Sequence, residues 1–134
     1  MKYLPIYFLS FSLLLSACRK PQDSPAPSAI ITGKSWKLIF YSYNGTDITN
    51  KFSNCIIKFE GNGTLKATNA GQTFSGTWEE VLEPPKLKMD ITTNNQYVRL
   101  FNKEWEKKLL NPTRVEFVDN RIAPQENIKF DLVP

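Results

Sequence analysis

The sequence contains no histidine among its 134 residues. Histidine is the commonest general base and metal ligand in proteins, so its absence excludes a Ser-His-Asp triad, a Cys-His pair and a histidine-bound zinc site. Cysteine is nearly absent, since the chain has only Cys18 and Cys55. If Cys18 belongs to an export signal, Cys55 has no partner in an oxidising compartment, and a disulfide within the domain is excluded.

An excess of one charge sign is also lacking. The chain has 17 basic and 13 acidic residues. Lys2, Arg19, Lys20 and Asp23 precede the domain, so residues 33–134 carry 14 basic and 12 acidic residues. Such a balance is ordinary for a soluble surface and excludes the basic footprint of a nucleic-acid-binding domain.

The one long apolar run of the sequence stands at its N-terminus. Met1 and Lys2 give a positively charged start, and residues 3–17 are mostly apolar. A helix that spans a bilayer needs about 20 apolar residues, so this run is too short to cross comfortably. It predicts a secretory signal peptide over residues 1–17.

The end of this run, Leu15-Ser16-Ala17-Cys18, resembles the lipobox of bacterial lipoproteins. The resemblance implies cleavage before Cys18 and acyl chains on that residue, which would hold the protein firmly on a membrane. Residue 19 is Arg rather than Asp, which in lipoprotein sorting rules implies an outer-membrane location, on the periplasmic or the surface side. An ordinary signal peptide and an N-terminal transmembrane helix are the alternatives.

The residues after Cys18 have the composition of a linker. Residues 18–32 contain Pro21, Pro25 and Pro27 and few side chains that a core would bury. An extended proline-rich chain rises about 3.1 Å per residue, so this tether would reach up to roughly 45 Å. The sequence therefore predicts a signal peptide (1–17), a Pro/Ser-rich tether (18–32) and one domain (33–134) of the commonest domain size.

Turn signals divide this domain into short segments. The signals are Asn44-Gly45, Gly61-Asn62-Gly63, Asn69-Ala70-Gly71, Pro84-Pro85, Asn94-Asn95, Asn111-Pro112 and the polar residues 119–127. These seven breaks leave eight segments, and residues 54–60, 86–91 and 128–132 alternate between polar and apolar side chains. Alternation with a period of two is typical of strands that bury one face. Between Tyr97 and Leu110, helical spacing of the apolar residues allows one helical turn.

Short strands joined by tight turns predict an all-β meander. Closing such a meander into a barrel removes its exposed edges, and eight strands is the usual number for a small barrel. We therefore expect a small eight-stranded antiparallel up-and-down barrel, with an open sandwich as the alternative.

Three segments support a family resemblance: Gly33-Lys34-Ser35-Trp36-Lys37-Leu38, Phe59-Glu60-Gly61-Asn62-Gly63-Thr64 and Gly76-Thr77-Trp78. Their order and spacing resemble the lipocalin-like domains of Bacteroidetes lipoproteins, over residues 33–134. The resemblance implies structural roles for Gly33 and Trp36, with Trp36 packed at the closed end of the barrel under a late arginine, here Arg114 or Arg121. Lipocalins carry Gly-x-Trp, and this chain has one more residue between the two.

The resemblance also implies a binding domain. The candidate lining of an apolar ligand pocket comprises Phe74, Trp78, Leu87, Met89 and Ile91. A barrel of eight strands is, however, often filled by its own side chains, and Trp36 and Trp78 are expected to pack inside it. Two interpretations therefore stay open: a module that binds a small apolar molecule or a protein partner, and a structural or interaction protein with a filled barrel and no ligand.

No pattern in the sequence indicates catalysis. Glu79, Glu80 and Glu83 read as a solvated hairpin end rather than a metal or acid-base site. Lys103, Lys107 and Lys108 interleave with Glu104 and Glu106 around Trp105, which predicts an exposed mixed-charge face. Cys55 lies on the apolar side of its segment and reads as an inert buried thiol.

We therefore expect a protein that is not an enzyme, with no catalytic residues, no metal and no cofactor. Its expected partners are the membrane, through acylated Cys18, and a small apolar ligand or a protein, without nucleic acid. The domain is expected to be a monomer.

Overall fold

The computed structural model of the chain describes residues 26–82 and 85–134, so the predicted signal peptide, Cys18 and most of the predicted tether lie outside the described residues. The described part is almost entirely strands. Its elements are helix α1 (Pro27–Ile31), strands β1 (Ser35–Tyr43), β2 (Thr46–Asp47), β3 (Ile56–Phe59), β4 (Thr64–Asn69), β5 (Gln72–Leu82), β6 (Pro85–Ile91), β7 (Glu104–Leu110), β8 (Arg114–Asp119) and β9 (Glu126–Leu132), and two 3₁₀ helices (Thr49–Lys51 and Val98–Phe101).

The strands form a closed antiparallel barrel. The sheet runs in the order β2-β1-β3-β4-β5-β6-β7-β8-β9, and β9 pairs back with β1. The closing pairs run from Trp36 with Leu132 to Ser42 with Asn127. Strand β2 only extends the end of β1, so eight strands make the barrel wall. The predicted eight-stranded antiparallel up-and-down barrel is therefore confirmed.

The barrel has two different ends. At the proximal end, where β1 begins, α1 packs against the strands with Ile31 fully buried, and the carbonyl of Ile31 accepts a hydrogen bond from Nε1 of Trp36 at 3.1 Å. At the distal end lie the last residue of β1, Tyr43, and the first of β9, Glu126. The chain thus enters the barrel from the proximal end.

Residues 27–32, which the composition assigned to the tether, are part of the folded structure. Pro27 suits the first turn of a helix because that position needs no backbone N–H partner. The pair Ile30-Ile31 supplies apolar surface, so this short helix docks on the barrel despite its proline-rich surroundings. The described fold therefore begins before Gly33.

A register shift in β1 explains its ambiguous pattern. The apolar pattern of this segment allows either Phe40 or Tyr41 to lie on the buried face of the strand. The pairing with β9 is irregular between Leu38 and Phe40, and after this shift Tyr41 is fully buried while Phe40 is not. Such a bulge adds one residue to the strand, so the side chains that follow it point to the opposite face from the one that strict alternation predicts.

The interior of the barrel is filled by large side chains. The largest of those that are fully buried are Trp36, Trp105, Tyr41, Phe59, Phe101, Phe117 and Phe130. Several rings meet edge to face, as Tyr41 does with Trp105 at a centroid distance of 6.0 Å, which is a favourable geometry for aromatic pairs. The helical turn allowed between residues 97 and 110 is the 3₁₀ helix Val98–Phe101, and Trp105 belongs to a strand.

Cys55 is buried in this core with 2% of its surface exposed. Burial in apolar surroundings raises the pKa of its thiol to about 12, because it disfavours the charged thiolate. The prediction of a buried cysteine is confirmed.

Strands β5 and β6 approach closely at Gly76. A methyl group there would lie 2.7 Å from the Cα of Ile91 and overlap the carbonyl of Asp90. We expect Gly76→Ala to lower the free energy of unfolding by at least about 2 kcal/mol, since overpacking forces the backbone apart. Urea denaturation measures this, with Ser75→Ala on the exposed side of β5 as the control, expected within about 0.5 kcal/mol of wild type. Equal midpoints for both variants would contradict the close approach.

Candidate functional site

The five residues predicted to line an apolar pocket face the core from β5 and β6. Three are buried in it, with at most 2% of their surface exposed: Leu87, Met89 and Ile91. Phe74 and Trp78 are half-buried and pack against the same core. Trp78 pairs with Met89 across the two strands.

The indole of Trp78 is held by two contacts. Its Nε1 donates a hydrogen bond to the carbonyl of Glu60 at 2.9 Å, and its ring meets Phe59 edge to face at 5.6 Å. Trp78 borders a shallow cleft of about 150 Å³ among polar side chains, whereas Met89 borders a different one. Trp78 and Met89 therefore border two separate clefts rather than one shared pocket.

Gly33 and Trp36 connect the start of β1 to its neighbours. Gly33 has a φ of +73°, a conformation that favours glycine, and its N–H donates a hydrogen bond to the carbonyl of Phe59 at 2.8 Å.

The two candidates for the late arginine each donate hydrogen bonds to an aspartate. Arg114 donates to Asp131 at 2.6 and 3.0 Å, and Arg121 donates to Asp119 through two bonds of 2.9 Å.

The distal end holds an ion pair between the half-buried Lys103 and the buried Glu126. Glu126 is 1% exposed, and the ammonium of Lys103 also lies 5.2 Å from the ring centroid of Trp105. The hydroxyl of Tyr41 lies 3.4 Å from Oε2 of Glu126 and donates to the carbonyl of Leu100 at 3.0 Å. Burial and then the nearby Glu126 carboxylate raise the pKa of Tyr41, so its hydroxyl stays protonated.

A second charged pair lies beside the first. The carboxylate of Asp119 is 4% exposed and accepts two hydrogen bonds from the guanidinium of Arg121. These bonds lower the pKa of Asp119 and raise that of Arg121. Within each pair the positive and the negative charge therefore offset one another at the distal end.

A charged cleft adjoins these pairs, where β6 and β7 diverge. It measures about 390 Å³ and is lined by Lys88, Met89, Asp90, Asn102, Lys103, Glu104 and Arg121. The side chain of Asn102 bridges the divergence, because it accepts from the N–H of Ile91 at 2.7 Å and donates to its carbonyl at 2.8 Å. Cations and acids both line this cleft, so it favours neither sign of ligand.

An apolar cleft lies at the same end, and we call it the distal cleft. It measures about 310 Å³ and is lined by Tyr43, Ile48, Gln96, Tyr97 and Leu100. Its walls come from the segments around the two 3₁₀ helices. It is therefore an apolar, partly open site formed by loops on a rigid barrel, a position where binding residues commonly lie.

Local hydrogen bonds and stacking fix the walls of the distal cleft. Oδ1 of Asn95 accepts from the N–H groups of Tyr97 and Val98 at 3.0 and 3.1 Å, which caps the start of the second 3₁₀ helix. Behind the cleft, Phe52 stacks on Tyr41 at 5.5 Å and meets Tyr97 edge to face at 6.2 Å. The cleft is largely preformed as a result.

Two charged residues lie in surroundings other than those that the sequence predicted. Lys103 was expected on an exposed mixed-charge face, but it turns to the buried carboxylate of Glu126. Glu80 was expected in a solvated hairpin end, and it instead accepts a hydrogen bond from the Ser28 hydroxyl of α1 at 2.7 Å. Glu79 is exposed and pairs with Lys88, and Glu83 lies outside the described residues.

In residues 26–82 and 85–134, no group of three or more acidic or cysteine side chains is arranged to hold a metal ion. Over the same ranges, no helix has the length and apolarity that crossing a bilayer requires.

Neither the family models nor the curated proteins include a match to the chain. Among solved structures, the crystal structure of a DUF4847 family protein from Bacteroides vulgatus is similar, with a TM-score of 0.57 and 14% sequence identity. The likeness covers 78% of this chain and 95% of that one. At this identity the comparison bears on the fold alone, and the fold of the two chains is alike.

The ion pair between Lys103 and Glu126 should couple the effects of its two residues on the free energy of unfolding. We expect Lys103→Met to lower the free energy of unfolding by about 3 kcal/mol or more, because it leaves the buried carboxylate of Glu126 unpaired. Glu126→Leu should lower it less, because the half-buried Lys103 borders an open cleft and can turn its ammonium to water. The double variant removes both charges, so its loss should be smaller than the sum of the two single losses.

Urea unfolding of the four proteins gives this coupling energy. The exposed pair Glu79–Lys88, 3.4 Å apart, serves as the control. Its cycle with Glu79→Leu and Lys88→Met should give a coupling of at most about 1 kcal/mol. A coupling between Lys103 and Glu126 no larger than that of the control would contradict a buried pair.

Proposed function

We propose that this protein is a membrane-anchored lipoprotein, attached through acylated Cys18, whose filled barrel is an interaction module that binds a protein partner at its distal end. The observation that carries the proposal is the preformed apolar distal cleft, which lies at the end of the barrel opposite α1. In this proposal the protein acts as a monomer at an outer membrane.

The position of α1 supports an orientation in which the proximal end of the barrel faces the membrane and the distal end points away from it. Residues 19–25 separate Cys18 from the first described residue, Ala26, and a chain of this length extends roughly 25 Å at most. Because α1 packs at the proximal end, an anchor on Cys18 would hold that end toward the membrane. The distal cleft would then face away from the lipid, where a partner can reach it.

The filled interior favours a partner on the surface over a ligand inside. A small apolar molecule in the barrel would have to displace side chains such as Trp105, Phe117 or Phe130, which are fully buried. Emptying such a site costs about 3–5 kcal/mol for each aromatic side chain removed. An exposed cleft between loops requires no such rearrangement.

Anchoring is tested by Cys18→Ala. We expect this variant to leave the barrel folded but to move the protein from the membrane fraction to the soluble fraction, because it removes the acyl chains. Cys55→Ala is the matched control and should stay in the membrane fraction. Retention of Cys18→Ala on membranes would refute the lipoprotein assignment.

Binding at the distal end is tested by photo-crosslinking in the native host. Benzoylphenylalanine in place of Gln96, which lines the distal cleft, should give an adduct of discrete mass that contains a second protein. The same group in place of Lys66, an exposed residue on the wall at β4, should give none.

Two results would contradict binding of a protein at the distal end. Equal adducts from both positions would indicate random encounters. A stoichiometric small apolar molecule in native mass spectra of the purified protein, without a protein adduct at Gln96, would indicate a carrier.

A further inference from the structure

The size of the distal cleft limits what it can hold. A cavity of about 150 Å³ accommodates a benzene molecule, and the cleft measures about 310 Å³. It therefore has room for one large side chain with part of its backbone. Two tyrosines, an isoleucine and a leucine form most of its lining, so the favoured side chain is aromatic or branched aliphatic.

Charge around the cleft favours an acidic neighbour for that side chain. Lys51 ends the first 3₁₀ helix, three residues after Ile48, and Arg99 stands between Tyr97 and Leu100. Both are exposed, and neither forms an ion pair with any residue that the structure describes.

The acids near the cleft offset only part of this positive charge. Asp47 is exposed, and its Oδ1 accepts hydrogen bonds from the N–H and hydroxyl of Thr49 at 2.9 and 2.6 Å. These bonds lower the pKa of Asp47, so its carboxylate stays ionised and offsets one of the two cations. Glu126 and Asp119 are paired with Lys103 and Arg121. One of the two positive charges at the edge of the cleft is therefore left unbalanced.

We propose that the distal cleft binds an acidic peptide segment, with an aromatic or branched aliphatic side chain in the cleft and flanking carboxylates beside Lys51 and Arg99. The inference rests on the function proposed above and names the chemistry of its partner. Preformed walls reduce the ordering that binding requires, which suits recognition of one anchoring side chain.

The test uses the ¹⁵N-labelled Cys18→Ala chain and short synthetic peptides. The probe is acetyl-Asp-Glu-Phe-Glu-Asp-amide, compared with a peptide that has alanine in place of phenylalanine and with acetyl-Lys-Lys-Phe-Lys-Lys-amide. We expect the acidic phenylalanine peptide to shift the amide signals of residues 96–100 with a Kd on the order of 1 mM. The other two peptides should bind at least about tenfold more weakly, because each lacks one of the two recognition elements.

Charge reversal on the protein provides the matched control. Arg99→Glu should weaken binding of the acidic peptide about fivefold or more at low salt, and Lys66→Glu, which makes the same change in net charge on the barrel wall, less than twofold. Equal losses of affinity in the two variants would show that only the net charge of the protein matters and would overturn the proposal. Binding of the basic peptide as tightly as the acidic one would show that the cleft does not recognise acidic residues and would overturn it as well.

Octanoate at the same concentration separates a peptide from a small amphiphile. Shifts of residues 96–100 by octanoate without shifts by the peptide would overturn the proposal in favour of an anionic lipid. A protein adduct from position 96 with no binding of any peptide would leave the distal-end function standing and reject only the acidic chemistry. Failure of both experiments would reject the distal-end function itself.

Discussion

The antiparallel pairing of β9 with β1 closes the sheet, and the arrangement of the other elements follows from it. Once the ladder from Trp36–Leu132 to Ser42–Asn127 forms, the wall of the barrel has no free edge along its length, and alternate side chains must point into a narrow interior. An eight-stranded barrel is just wide enough to be filled by side chains or to hold one small ligand. Here the interior contains Trp105, Phe117 and Phe130, which are fully buried and pack together.

Closure also restricts where polar groups can lie. A charge in the middle of this interior would have no partner and no water, so the inward-facing charged side chains Asp119 and Glu126 stand at strand ends in the distal half. There Lys103 and Arg121 reach them from loops. Replacing such a pair by well-packed apolar side chains is often neutral or stabilising, so we infer that these pairs serve to fix the arrangement of the loops that carry them. The distal end thereby gains a defined shape.

The sequence predicted those parts of the structure that depend on local periodicity. Residues 86–91 and 128–132 alternate strictly, and β6 and β9 lie there because a period of two fits only a strand with one buried face. The turn signals located the hairpins for a similar reason, since Asn44-Gly45 and Gly63 require backbone angles that few other residues adopt.

Contacts between distant residues were not predictable in this way. Lys103 and Glu126 are 23 positions apart, and among the interleaved Lys and Glu of residues 103–108 no local pattern marks Lys103 as the lysine that turns to a buried carboxylate. The distal cleft joins Tyr43 and Ile48 to Tyr97 and Leu100, which no local pattern associates. Helix α1 was missed because prolines dominate its neighbourhood, whereas its docking depends on Ile31 and on the distant carboxylate of Glu80. The five candidate lining residues remain a prediction as ligand contacts, although their apolar character correctly indicated that they face the core.

A filled barrel constrains how this protein can change. A domain of this size is stable by only about 5–15 kcal/mol, and removing one buried aromatic side chain costs about 3–5 kcal/mol. An interior pocket large enough for a ligand would require two or more such removals, which would consume most of that stability. The distal loops contribute Phe52, Val98 and Phe101 to this core, but other side chains of these loops, such as those of Gln96 and Arg99, are exposed and can vary without endangering the barrel. Recognition on this scaffold is therefore expected to reside in the exposed loop side chains, while the interior residues are constrained by packing and by hydrogen bonds such as those of Trp36 and Tyr41.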